Sequence, residues 1–200
     1  YAESAVLRAQ EEEEGEEHEE EEQFGSVANS DVDNKGGTIG ISWIGDKALF
    51  GVSFNLNDSN YGVPSHGHHG EEEEEEEEAP VRINLDQKRF DLKGNLEQDF
   101  LIFEESRVRF GYADYKHIEL EGNEVGTSFN NVGWEGRVEL IQQKIGDVHG
   151  SMGMQMRNRE FSAIGEEAFV PPNDTFQWGV FMVEEIEVNP VTFEFGARYD

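Results

Sequence analysis

At 200 residues the chain is long enough for one domain, carries 45 acidic against 15 basic residues for a formal charge of −30, and has no cysteine. That balance argues against nucleic acid as a partner, because phosphate binding needs basic patches, and it favours cations and cationic partners. The missing cysteine excludes a disulfide framework and a thiolate metal site; no stretch approaches the ~18 apolar residues of a transmembrane helix, a criterion that does not apply to membrane-spanning strands.

More than half of the charge imbalance sits in two runs. Ten glutamates lie within Glu11–Glu22 and eight form Glu71–Glu78; without them 27 acidic residues face 15 basic ones. Runs of like charge cannot pack, so both read as solvated loops. The chain opens on Tyr1 with no charged-then-apolar leader, and closes on Asp200 at the end of a strand-like segment. It reads as an internal piece of a longer protein.

Ala2 to Arg8 reads as a helical turn or two, ahead of the first acidic run with His18 inside it. From Gly37 the pattern changes to period two. Ile39, Ile41 and Trp43 alternate with small polar residues, Gly45-Asp46-Lys47 makes a tight turn, and Phe50, Val52, Phe54 and Leu56 continue the alternation. Residues 58–80 form a loop rich in histidine and glutamate. The return strand carries Val81, Ile83 and Leu85 in one phase and Phe90, Leu92 and Leu96 in the other. That change predicts a register shift at a bulge between Leu85 and Phe90. A short connection at 98–105 follows, then strands through Val108–Tyr112 and Val132–Leu140, joined by a polar loop at 121–128. A turn at 143–147 leads to Met152, Met154 and Met156. A loop at 163–174, a strand through Trp178–Met182, a turn at Asn189-Pro190 and a last strand, Val191–Tyr199, complete the chain.

The pattern gives an all-β protein of eight antiparallel up-and-down strands, several of ten residues or more, where soluble strands average about five or six. Long connections (1–35, 58–80, 121–128, 163–174) alternate with short ones. Short turns at one end and long loops at the other describe an outer-membrane β-barrel. One face is rich in aromatics (Trp43, Phe50, Phe90, Phe110, Trp134, Trp178). The opposite face holds charges of both signs (Arg89, Asp91, Lys93, Arg107, Arg109, Glu135, Arg137). Large charged residues on the inner face suit a wall of a wider barrel better than a closed barrel of eight strands, whose interior side chains fill.

Several segments resemble the barrel of TonB-dependent outer-membrane receptors, of the zinc-uptake type. They are Gly40-Ile41-Ser42-Trp43-Ile44-Gly45-Asp46-Lys47; Tyr61-Gly62-Val63-Pro64 before the His/Glu loop; Arg89-Phe90-Asp91-Leu92; Arg109-Phe110-Gly111-Tyr112-Ala113-Asp114-Tyr115-Lys116-His117; Gly165-Glu166-Glu167-Ala168-Phe169-Val170-Pro171-Pro172; and Phe195-Gly196-Ala197-Arg198-Tyr199-Asp200. The resemblance covers nearly all 200 residues. It implies a 22-stranded barrel with an N-terminal plug, residence in the outer membrane of a Gram-negative bacterium, and import of a metal, zinc foremost, driven through a TonB box by the energy-coupling complex. Neither plug nor TonB box lies within these residues. The alternatives are a siderophore or haem receptor of the same class, and a soluble acidic β-protein that buffers metal. No nucleophile–base pair or phosphate loop stands out, so an enzyme is not expected.

Imidazole and carboxylate together suit divalent metals of the zinc, nickel or copper kind. The capture loop offers His66, His68 and His69, which flexible Gly67 and Gly70 allow to converge, with a glutamate from Glu71 onward or a water as the fourth ligand that zinc usually takes. His18 belongs to the other acidic run. His117 has the parity of Arg107 and Arg109, so it faces the lumen near the outer rim as a candidate lining residue, with Glu119 on the same face. His149, lumenal and near a short turn, reads as structural. The even spacing of Met152, Met154 and Met156 puts all three on the lipid face, as packing residues rather than ligands.

Overall fold

A computed structural model describes residues 27–64, 79–166 and 168–200. Ala2–Arg8, both glutamate runs, His18, His66, His68, His69 and Glu71 lie outside the described residues. The chain forms eight strands: β1 (Val32–Ile44), β2 (Ala48–Gly62), β3 (Val81–Phe100), β4 (Phe103–Glu121), β5 (Glu124–Gln142), β6 (Val148–Gly165), β7 (Asn173–Val188) and β8 (Val191–Tyr199). They make one antiparallel up-and-down sheet in the order β1 to β8. The sheet is not closed: β1 and β8 are its edges, and every residue of both is exposed.

The expected architecture is therefore present, with longer strands and tighter connections than the residue pattern suggests. The polar loop expected at 121–128 contracts to Gly122-Asn123, because Glu121 pairs with Glu124 and β5 begins there. Gly122 has φ of +60° at the first central position of this two-residue hairpin, where a glycine is wanted. The connection expected at 98–105 contracts to Leu101-Ile102. The other long connections shorten to 63–80 and 166–172, and β1 begins at Val32, inside the 1–35 stretch. Polar composition misled here because polar residues such as Glu119, Glu121, Glu124 and Thr127 form ladder pairs at these strand ends.

A single layer cannot bury its own faces. Among the described residues only Gly62, Ile83, Thr127, Ala163 and Gly179 are buried, while large apolar side chains such as Ile41, Trp43, Phe54, Val138 and Trp178 stand exposed. The register orders this exposed surface. Ile39, Phe54, Phe90, Tyr112, Trp134, Asn158 and Phe176 form one continuous cross-strand row on the outer face. Five of the seven are aromatic, and Trp134 and Phe176 approach to 6.3 Å over Asn158. Towards the short turns the outer face stays apolar: Val52, Leu92, Phe110, Met156 and Trp178 in the next row, Phe50, Val108, Val138, Met154 and Val180 beyond it. In the other direction the next row reads Gly37, Leu56, Lys88, Asp114, Val132, Glu160 and Asp174. The outer face thus becomes charged immediately beyond the aromatic row.

The inner face inverts at the same level. Beside the apolar band it carries Arg89, Asp91, Lys93, Arg109, Glu135, Arg137 and Arg157. Beyond it, Ile83, Leu85, Tyr115, Phe129, Phe161 and Ala163 stand among Gln87, His117, Glu119, Thr127 and Asn131, with Ile83, Thr127 and Ala163 buried. The predicted bulge between Leu85 and Phe90 is absent. β3 pairs without interruption from Val81 opposite Glu121 to Glu97 opposite Glu105. The apolar phase changes because the apolar face changes sides, with the backbone register intact.

Candidate functional site

The rim at the ends of β2 and β3 is the foot of the His/Glu loop. Gly62 pairs with Arg82, and Val63 N donates to Val81 O at 2.9 Å. Asn29, in the segment before β1, bridges the two chains: its side-chain amide donates to Val63 O and Val81 O, each at 2.8 Å. Arg82 donates to both carboxylate oxygens of Asp31, at 2.9 and 2.8 Å. That hydrogen bond holds the Asp31 carboxyl below its usual value of 3.8. Asn29 and Asp31 are thereby clasped to the residue after β2 and the first residues of β3. Asn29 adopts a positive φ of 54°, which asparagine tolerates better than most residues.

Below that rim, on the inner face, stands His117. Its register neighbours are Leu85 on β3 and Phe129 on β5. The imidazole lies 5.0 Å from the Phe129 ring and edge-on to Tyr115 at 6.3 Å. Its Nδ1 is 3.3 Å from the Tyr115 hydroxyl, and its Nε2 is 3.4 Å from Glu119 Oε1. Both the His117 and Glu119 side chains are about four-fifths covered. Nε2 is buried without an aligned hydrogen bond. The face that His117 shares with Arg107, Arg109 and Glu119, read from the sequence, is the one it occupies. The pair supplies two of the four donors that zinc usually takes, aimed from an aromatic hollow.

Beside the apolar band the inner face is an ionic ladder. Arg89 binds Asp91 through two hydrogen bonds (2.8 and 2.7 Å), and Arg107 binds Glu105 in the same way (2.8 and 2.7 Å). These partners are two residues apart on one strand, so each strand neutralises part of its own charge. One row does not balance. Lys93, Arg109 and Arg137 lie directly opposite one another on three successive strands. Arg137 reaches Glu139 at 3.4 Å and stacks 4.1 Å over Phe181. Like charges in directly opposed positions destabilise a sheet, so this row is a place where an anion would be welcome. The reading of single strands could not reveal it, because only pairing aligns the three.

Pairing also brings together a His/acid group at the opposite end of the sheet. His149, Glu185 and Glu187 present donor atoms within 4.8 Å of one another. Sequence reading treated His149 alone and missed the grouping; its signal was the alternation of Glu185 and Glu187 on the strand paired with β6. No family model matches the chain.

Proposed function

We propose that this chain is a wall of an outer-membrane β-barrel receptor that imports a metal, zinc foremost, with the His66–Glu71 segment as its capture loop. One observation carries the membrane reading: the aromatic row Phe54–Phe90–Tyr112–Trp134–Phe176 borders an apolar band on one side and charged residues on the other. Aromatic girdles of this kind mark the interface between hydrocarbon and water. The band from Phe90 to Leu96 runs about 20 Å along the strand at about 3.3 Å per residue, which the usual strand tilt of about 40° reduces to roughly 15 Å of height, the inner part of the ~25 Å band of known barrels. Strands of 15 to 20 residues in β2 to β7 exceed the ~9–11 needed to span, so their outer halves project into water as a hydrated tube.

The metal reading rests on where the loop emerges. Its foot is at the rim beyond the charged row, on the side of the acidic segments. Both glutamate runs would raise the local cation concentration there, an effect that weakens with salt. His117 and Glu119, on the inner face below that rim, offer a further pair of donors along the way. Uptake would be driven by the TonB energy-coupling complex, through a plug and TonB box supplied by other residues.

A second reading, a receptor for a siderophore or haem, draws on the Lys93–Arg109–Arg137 row, which suits an anionic chelate better than a bare cation. Growth of a strain carrying the gene as its sole uptake route separates the two. Rescue under zinc starvation, lost when His66, His68 and His69 are replaced by asparagine, supports zinc. Rescue under iron starvation alone sinks the zinc reading.

A further inference from the structure

We propose that His149, Glu185 and Glu187 bind a divalent transition-metal ion of the zinc kind at the short-turn end of the sheet, away from the loop rim. His149 on β6 lies directly opposite Glu185 on β7, and the two inner-face side chains approach to 3.8 Å between Nε2 and Oε2. Glu187 is two residues further along the same face, and all three donor atoms fall within 4.8 Å of one another. Two independent features point to a cation there.

The first is unbalanced charge. Glu185 is also directly opposite Glu194 on β8, a like-charge pair that costs stability unless something positive lies between. Three carboxylates therefore crowd one patch, and Lys144 is the cation that reaches it, through Glu187. The second is an imidazole without hydrogen bonds. Nδ1 of His149 is buried and unpartnered, and Nε2 is 3.8 Å from the nearest carboxylate oxygen, beyond a hydrogen bond. A ligand bond from Nε2 to a metal gives that ring the directed interaction it lacks.

The donor set selects the ion class. Calcium and magnesium prefer oxygen alone, whereas one imidazole with carboxylates suits zinc and its neighbours. Around a tetrahedral ion with bonds of about 2.0–2.2 Å, donor atoms sit roughly 3.4 Å apart, so donors now within 4.8 Å of one another must close by up to about 1.4 Å. The side chains can do so: those of His149 and Glu185 are 39% and 34% exposed and are not locked by packing. Glu194 or water would fill the remaining positions. Lys144 then acts as a built-in competitor, because its ammonium holds the Glu187 carboxylate that the metal would need.

The test is a zinc titration of the complete gene product in detergent, in competition with a chromophoric chelator. Replacing His149 by glutamine removes one bound equivalent while leaving the folded, heat-modifiable band. E185Q and E187Q each weaken that equivalent at least about tenfold, the scale on which metal sites respond to lost carboxylate support. K144M tightens it, because the ammonium no longer competes for the Glu187 carboxylate. If H149Q fails to fold, the two glutamine variants and K144M carry the test alone. Unchanged zinc binding across E185Q, E187Q and K144M overturns the proposal. The outcome is independent of transport, since this site is read by binding and the capture loop by growth.

Discussion

Leu85 and Phe90 stand on opposite faces of β3, and no bulge separates them: Leu85 pairs with His117 and Phe90 with Tyr112 in one unbroken ladder. In the barrel proposed above, a strand of constant register that moves its apolar residues from one face to the other would be passing between two environments. Near Phe90 the apolar side faces outward and the inner side is ionic. Near Leu85 the outer face carries Asp86 and Lys88, and the inner neighbours include Ile83 and His117, with Tyr115 and Phe129 close by. A barrel that leaves a bilayer, as proposed, would switch faces at this level.

Outward-facing residues should respond to charge according to their level. Val138→Arg lies within the apolar band and should destabilise the folded barrel by about 2–4 kcal/mol, whereas Asn130→Arg, beyond the aromatic row on the same face of β5, should cost about 0–1. Chemical unfolding of the complete gene product in lipid vesicles measures both. Equal costs would remove the depth dependence on which the membrane reading relies.

His117 should separate packing from ligation. His117→Phe keeps the ring against Phe129 and Tyr115, so stability should change by less than about 1.5 kcal/mol, as for other swaps of similar volume. If the imidazole with Glu119 is a station on the metal's path, zinc uptake falls several-fold while the amount of folded receptor is maintained. Undiminished uptake would leave His117 with a packing role only.

The clasp at the loop foot should be acid-labile. Arg82 holds the Asp31 carboxyl below 3.8, so the folded state binds this proton less readily than the unfolded chain. The pair's contribution is complete above that ordinary value and is lost as pH falls through the lower, folded one. Proteolytic cleavage between Val27 and Asp31 should therefore rise only in strong acid. In Asp31→Asn it should be raised at neutral pH and flat across the acid range. A wild-type profile that rises between pH 5 and 7 would point to another group.

The two edges should betray themselves when these 200 residues are expressed alone. β1 and β8 present unpaired backbone along 13 and 9 residues, and exposed edges recruit other strands. Aggregation is the expected result by light scattering, and a monodisperse soluble monomer would favour a soluble protein instead.

Most of the fold was legible because period-two alternation survives without tertiary context. Ile39–Trp43, Phe50–Leu56 and Met152–Met156 each announce a strand and its apolar side. Strand ends were not legible, because Glu119, Glu121, Glu124 and Thr127 are as polar as a loop while forming ladder pairs. The face of His117 followed from parity. The Lys93–Arg109–Arg137 row and the His149–Glu185–Glu187 group did not, since each exists only once register aligns separate strands. The apparent slip between Leu85 and Phe90 is a true change of phase, but it lies in the apolar face changing sides and not in the backbone, whose register is unbroken.

The most direct test follows β4 residue by residue. Single cysteines from Val108 to Leu120 carry a nitroxide label in the complete gene product, reconstituted in a bilayer, and accessibility to a lipid-soluble and to a water-soluble relaxant is measured. The account predicts lipid contact at positions 108, 110 and 112 alternating with none at 109 and 111. It then predicts water contact at the outward positions 114 and 116. Absence of lipid contact at 108, 110 and 112, or alternation in lipid contact continuing unchanged to 120, would contradict it.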